Sequence, residues 1–280
     1  MIHLFALLSL LLCGVCYTGF QNSSHFRNTG SRRSLLLLVF GGALLLRLLL
    51  AYTTHGFSND IACFAAWADR IFTLGPGQFY SAEMFTDYPP GFMYVLYLIG
   101  ALRSLLQIPY YSDLHILLLK LPAILCDIAC GFLLYREAVK RLHFSDLQGI
   151  FAASAYLFQP AVILNSSCWG QVDSVYTLMI ILMCLFLMKG NLLPAYAVYG
   201  LGVLLKPQML IFTPVLLAGI WDHVFLQDFS WRKFFYNLCG GLVVICGMLL
   251  LCAPFGLTAA ISQYTSTLGS YEYAAINAYN

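Results

Sequence analysis

The chain has 280 residues, 61% of them hydrophobic and only 9% charged, with a net charge of +2 and a mean hydropathy of +0.81. That composition lies far outside the range of a soluble globular domain, and basic residues confined to short interhelical loops exclude a nucleic-acid footprint. It predicts an all-α, polytopic transmembrane bundle of about seven or eight spans, with ionisable residues kept out of most of the hydrophobic runs.

Residues 1–17 are apolar, with neither an N-terminal charge run nor an Ala-x-Ala site, so they read as a short first span rather than a signal peptide. Residues 1–33 then form an N-terminal segment with a cytoplasmic loop, and 34–280 one membrane domain. The predicted spans of that domain are 34–53, 114–135, 147–165, 174–188, 193–205, 209–221 and 234–253. Several fall short of the roughly 20 residues that cross hydrocarbon directly. The shortest, 193–205, runs into Lys206-Pro207, and a break there requires protein or a wet cavity around the freed backbone groups.

Stretch 88–107 is apolar but opens on Pro89-Pro90-Gly91 and contains Arg103. Charge asymmetry settles its reading. If it does not cross, Arg27, Arg32, Arg33, Arg136, Lys140, Arg141, Lys189, Arg232 and Lys233 share one side; if it crosses, that bias collapses. Region 54–113 is therefore read as one extracytoplasmic loop with amphipathic interfacial helices at about 60–73 and 90–106.

The ten cysteines fall mostly in apolar segments and read as small hydrophobes. Cys13 and Cys16 have CxxC spacing without a second pair or a histidine, so no metal or redox use follows. The sequons at Asn22 and Asn165 are weak matches. No convincing internal repeat is present, and the chain stops just after an extracytoplasmic loop begins, which reads as a truncated form.

Four polar clusters lie at the ends of hydrophobic segments: Asn59-Asp60, Asp87-Tyr88-Pro89-Pro90, Trp169-Gly170-Gln171-Val172-Asp173 and Lys206-Pro207-Gln208. An ionisable group costs roughly 2.5–3.5 kcal/mol at the centre of a membrane helix, and in this topology all four clusters fall on the extracytoplasmic side, where one cavity can hold them. Each also has a plain structural account. Ser58, Asn59 or Asp60 can cap the helix carrying Phe64, Trp67 and Ile71. Pro90 suits the first helical position, with Asp87 near its N-terminus. Gly170 and Asp173 make a turn and a cap, while Trp169 and Gln171 suit stacking on and hydrogen bonding to a sugar, or an interfacial anchor. Lys206 can snorkel, or hold a phosphate, with Arg70 a second cation for the same task. Arg47, Lys120 and Asp127 lie within spans, and Lys120 with Asp127 reads as a structural or lipid-headgroup element.

The ordered strings Asp60, Asp87-Tyr88-Pro89-Pro90, Trp169-Gly170-Gln171-Val172-Asp173-Ser174 and Leu205-Lys206-Pro207-Gln208 resemble integral-membrane glycosyltransferases of the GT-C superfamily. The likeness is to bacterial proteins related to GPI mannosyltransferase II and, more distantly, to dolichyl-phosphate-glucose-dependent glucosyltransferases, and it covers about residues 34–280. What the resemblance implies is inverting transfer of a hexose, mannose by family weight, from a polyprenyl- or dolichyl-phosphate sugar to a lipid or glycan acceptor. Asp60 is then the catalytic base, Lys206 and Arg70 hold the donor phosphate, and Asn59, Asp87, Tyr88, Trp169, Gln171, Asp173 and Gln208 line the substrate site. A divalent metal bridging Asp60 or Asp87 to phosphate is compatible with the residues. The expected location is an integral membrane one, a bacterial plasma membrane or the endoplasmic reticulum of a eukaryote, with the active site extracytoplasmic. The rival reading is a transporter or lipid-handling protein using the same polar cavity.

Overall fold

The computed structural model describes Gly14 and residues 32–80, 85–227 and 229–269. The expected first span 1–17 (Gly14 apart), the Cys13–Cys16 pair, the Asn22 sequon and Arg27 lie outside the described residues. Among those described the chain is helical, without a strand, in eleven α-helices: α1 Arg32–Thr53, α2 Ser58–Leu74, α3 Pro90–Leu105, α4 Asp113–Lys140, α5 Asp146–Leu157, α6 Pro160–Ile163, α7 Asp173–Leu187, α8 Leu192–Leu205, α9 Thr213–Trp221, α10 Trp231–Cys252 and α11 Leu257–Gly269.

Local chemistry explains most helix starts. Ser112 and Ser230 each accept a backbone N–H of the helix that follows, and Ser145 forms a reciprocal capping box with Gln148. Pro90 stands at the first position of α3, as its fixed φ favours. Among the described residues four segments are long and apolar enough to cross a membrane: Arg33–Thr53, Asp113–Lys140, Pro207–Leu226 and Trp231–Phe255. A fifth, Asp146–Leu157 with Pro160–Trp169, qualifies as one span bent by 50°. Helices α7 and α8, with 15 and 14 residues, match the expected segments but fall short of that length, as does α3 with 16. The bend at 158–159 has a cause in the sequence. Pro160 bars Gln159 from helical backbone angles, and Gln159 sits at φ −63°, ψ 119°.

The chain divides into two compact units. Unit 1 (residues 1–65 and 107–178) is built on α1, α4 and α5. Its apolar core gathers Ala43, Tyr135, Ile150, Ala153 and Leu157, and α4 and α5 approach closely because a Cβ on Gly131 would stand 2.6 Å from the Leu157 side chain. The same unit buries charge. Arg47 Nε donates to Asp127 Oδ2 at 3.3 Å with both side chains fully buried, and Tyr156 and Ser166 hydroxyls donate to the same carboxylate at 3.2 and 2.6 Å.

Unit 2 (residues 66–106 and 179–280) packs Met183, Leu192, Ala195, Tyr196, Val203, Met209, Leu216 and Val224 into its core. Helix α3 lies against α8, where a Cβ on Gly91 would reach 2.6 Å from the Leu204 carbonyl, and Tyr94 Oη donates to Leu251 O of α10 at 2.7 Å. The expected interfacial stretches 60–73 and 90–106 are thus helices α2 and α3, and the inner face of α3 is closely packed.

Candidate functional site

The first polar cluster is assembled in unit 1, where α1 ends and a π-helical turn, Leu164–Trp169, closes the broken span. Such turns widen a helix and recur at functional sites because they displace one residue from the regular ladder. Here the displaced segment ends on Gly170, at φ +90°, with a Cβ position only 2.6 Å from Ile61 Cδ1. Gly56, at φ +80°, is equally constrained, its Cβ position 2.7 Å from the Trp169 carbonyl. The two glycines let the Trp169 loop and the start of α2 touch, and Phe57 N–H donates to Trp169 O at 2.8 Å.

Across that contact Asp60, in the first turn of α2, accepts two side-chain hydrogen bonds at Oδ2: from Trp169 Nε1 at 2.9 Å and from Gln171 Nε2 at 2.5 Å. Asp60 lies inside the helix that starts at Ser58, and it joins two clusters 109 residues apart. Phe57 packs on the indole, with ring centroids 5.0 Å apart. Asn165 Nδ2 donates to Asp173 Oδ2 at 2.9 Å, and the Asn165 carbonyl accepts from the Gly170 and Gln171 amides. Two buried acceptors beside this network, Asn165 Oδ1 and Gln171 Oε1, have no hydrogen-bond donor among the described residues. The Trp169 side remains 47% exposed, so one face of the site is open.

Beneath the loop, the Lys120 ammonium is fully buried and donates to Thr54 O (2.7 Å), Ser167 O (2.9 Å), Thr54 Oγ1 (3.1 Å) and Ala51 O (3.3 Å). It ties the end of α1 to the π turn. Lys120 and Asp127 consequently have separate partners, both structural. The Asn165 sequon is also structural: its amide is engaged by Asp173, and Ser166 and Ser167 are fully buried.

The other two clusters meet in unit 2. Lys206 takes extended backbone angles (φ −153°, ψ 128°) between α8 and the 3₁₀ turn Pro207–Phe212, the expected break. Its Nζ lies 5.7 Å from the Tyr88 ring centroid, a cation–π contact. Tyr88 also stacks near Trp67 and Phe92, and its carbonyl accepts from Tyr80 Oη at 3.1 Å. Burial, reinforced by the neighbouring Cys252, pushes the Tyr80 phenol well above its ordinary pKa, so it stays a donor. Arg70 donates to Phe79 O and Gln78 O at 3.0 and 3.1 Å and so secures its own loop. Asp87 is half-buried just before α3; Asn59 and Gln208 are exposed.

The structure thus joins Asp60, Trp169 and Gln171, with Asp173 two hydrogen bonds away through Asn165, and in unit 2 joins Tyr88 with Lys206. Sequence reading missed Thr54, Asn165 and Lys120 as builders of the first site. The paired threonines Thr53-Thr54 at the end of α1 were the available signal. Among the described residues no three His, Cys, Asp or Glu side chains are grouped to hold a metal ion.

Compared with known families, residues 34–274 match the one described as GPI transamidase subunit PIG-U; a comparison with curated proteins finds no match. The family match overturns the expected activity. Hexosyl transfer from a polyprenyl- or dolichyl-phosphate sugar, the glycosyltransferase class, the sugar-donor and glycan-acceptor partners and the transporter rival are all corrected to a subunit of the complex that attaches GPI to protein. Asp60, expected as a base, accepts from Trp169 and Gln171, two of the residues expected to line its substrate site. With helices apolar and long enough to span a bilayer and a match over most of its length, the chain is an integral membrane protein that belongs to the family of the GPI transamidase subunit PIG-U.

Proposed function

We propose that the chain works in the endoplasmic reticulum membrane as the subunit that holds the glycan of the GPI anchor in place while the anchor is joined to protein. The observation that carries this reading is the half-open face at Trp169. An exposed indole stands beside the half-buried Asp60 carboxylate. Sugars offer apolar C–H faces for stacking on such an indole and hydroxyl donors for such a carboxylate. The positive-inside reading puts this face, with region 54–113, on the lumenal side. Kinship with the GT-C glycosyltransferases accounts for the shared strings: the frame for a lipid-linked glycan is retained, and Asp60 positions rather than abstracts a proton. Within unit 2, Lys206 over Tyr88 is assigned an anion-holding task of its own.

The test uses cells lacking this chain, complemented with variants, and reads both a surface GPI-anchored reporter and its unprocessed precursor. Trp169→Ala should lower the reporter roughly tenfold, the effect of losing about 1.4 kcal/mol of binding, with precursor accumulating and the complex still assembled. Trp169→Phe should recover most of it. A normal reporter level with Trp169→Ala would overturn the assignment.

A further inference from the structure

At the opposite end of α8 from Lys206, unit 2 carries two cavities that meet at Asn237. One, about 380 Å³, is a groove walled by Tyr196, Leu216, Val224, Phe234, Gly241 and Ile245. The other, about 510 Å³, is lined by Gly190, His223, Ser230, Arg232, Lys233 and Tyr236. Both volumes lie in the range of ligand clefts, about 300–1,000 Å³. The first has apolar walls formed by helices of membrane-spanning character; the second sets Arg232, Lys233 and other polar side chains among apolar ones.

Three observations identify what fits. The exposed aromatics Trp221, Phe225, Phe229, Trp231 and Phe235 form a continuous chain of ring contacts, with centroids 4.7 to 6.0 Å apart, around this end of the helices. Trp-rich belts of this kind mark the headgroup level of a bilayer. Arg232 is exposed and makes no hydrogen bond or ion pair among the described residues, while Lys233 Nζ donates to Gln227 O at 3.0 Å. Both cations stand in the first turn of α10, where they oppose the helix dipole, and an anion placed there relieves both repulsions. Among the described residues of this loop the carboxylate is Asp222, which is bound by Gln227 Nε2 at 2.6 Å and does not line the polar cavity.

We propose that these cavities form a binding site for a glycerophospholipid with an anionic headgroup, drawn from the leaflet that the positive-inside rule makes cytoplasmic. One acyl chain occupies the Gly241 groove, the headgroup phosphate meets Arg232 and Lys233, and Asn237 sits at the glycerol level. Charge complementarity and an aromatic belt at the junction select a lipid over a partner helix, which would leave the basic cavity unfilled. The site is independent of the glycan reading of unit 1.

The experiment purifies the complex containing the full chain, exchanges it into nanodiscs of phosphatidylcholine doped with phosphatidylserine, and reads retained lipid by native mass spectrometry. Wild type should retain phosphatidylserine in clear preference to phosphatidylcholine. Arg232→Gln should reduce that preference several-fold. Gly241→Phe, at a position where an added Cβ meets nothing within 4 Å, should fill the groove and reduce retention of either lipid. Equal retention of the two lipids by wild type, or unchanged retention in both variants, overturns the proposal. So does release of a protein partner by Gly241→Phe with lipid retention unchanged, because the groove would then seat a helix. Should Gly241→Phe fail to fold, the preference lost or kept in Arg232→Gln decides.

Discussion

The two units treat charge in opposite ways. Unit 1 encloses Arg47, Lys120 and Asp127 completely, and each is held by partners from other segments of the chain. Unit 2 encloses no charged residue among those described; its ion pair Arg103–Asp69 is partly open to the surroundings, and one of its cavities is an apolar groove. Buried charges are costly unless fully partnered, and once partnered they tolerate little displacement. Unit 1 thus fixes the Trp169 loop against the start of α2. Unit 2 offers a surface whose aliphatic and aromatic walls adapt to what lies beside them.

The comparison breaks most decisively at Asp127. Replacing it by alanine leaves the buried Arg47 guanidinium without a counter-charge and should destabilise unit 1 by about 3–5 kcal/mol, seen as loss of folded chain in a thermal melt. Arg47→Met combined with Asp127→Leu should recover much of that loss, because apolar groups of similar size remove the uncompensated charge. If the double variant is as unstable as Asp127→Ala, the pair is not the principal support of α1 on α4.

Lys120→Met comes next. Three carbonyls and a hydroxyl lose a cationic donor, which should cost about 2–3 kcal/mol and raise amide exchange in residues 164–171 specifically. Uniform exchange across unit 1 would mean that the lysine stabilises the unit without fixing the loop. Gly170→Ala should cost about 1–3 kcal/mol, since alanine must adopt φ +90° and meet Ile61, and reporter anchoring should fall in parallel with stability. The smallest effect belongs to unit 2. Asp69→Asn at the partly exposed Arg103 pair should cost at most about 1 kcal/mol. A larger loss in the same melt would erase the contrast between the units.

Much of the fold was legible from hydrophobic runs and their punctuation. The predicted segments 34–53, 114–135, 174–188, 193–205 and 234–253 each coincide with a helix, because apolar length and flanking polar residues fix where a helix begins and stops. Pro90 and Lys206-Pro207 marked their boundaries for local reasons that tertiary structure did not alter. The π turn at 164–169 was not legible, since it depends on Lys120, Thr54 and Asn165 meeting across the chain. Within unit 1 the structure pairs Asp60 with Trp169 and Gln171, and within unit 2 Tyr88 with Lys206, pairings that topology alone leaves undetermined.

The sequence by itself determined a membrane-spanning helical chain and the positions of its polar interruptions. Both follow from the cost of placing polar groups in hydrocarbon, which acts residue by residue. Only the tertiary structure decided what those interruptions do. Asp60 holds Trp169 and Gln171 from a distant segment, and Arg232 lines a polar cavity with residues of other segments. Hydrogen bonds and cavities belong to groups far apart in the chain, and no local pattern records which of them meet.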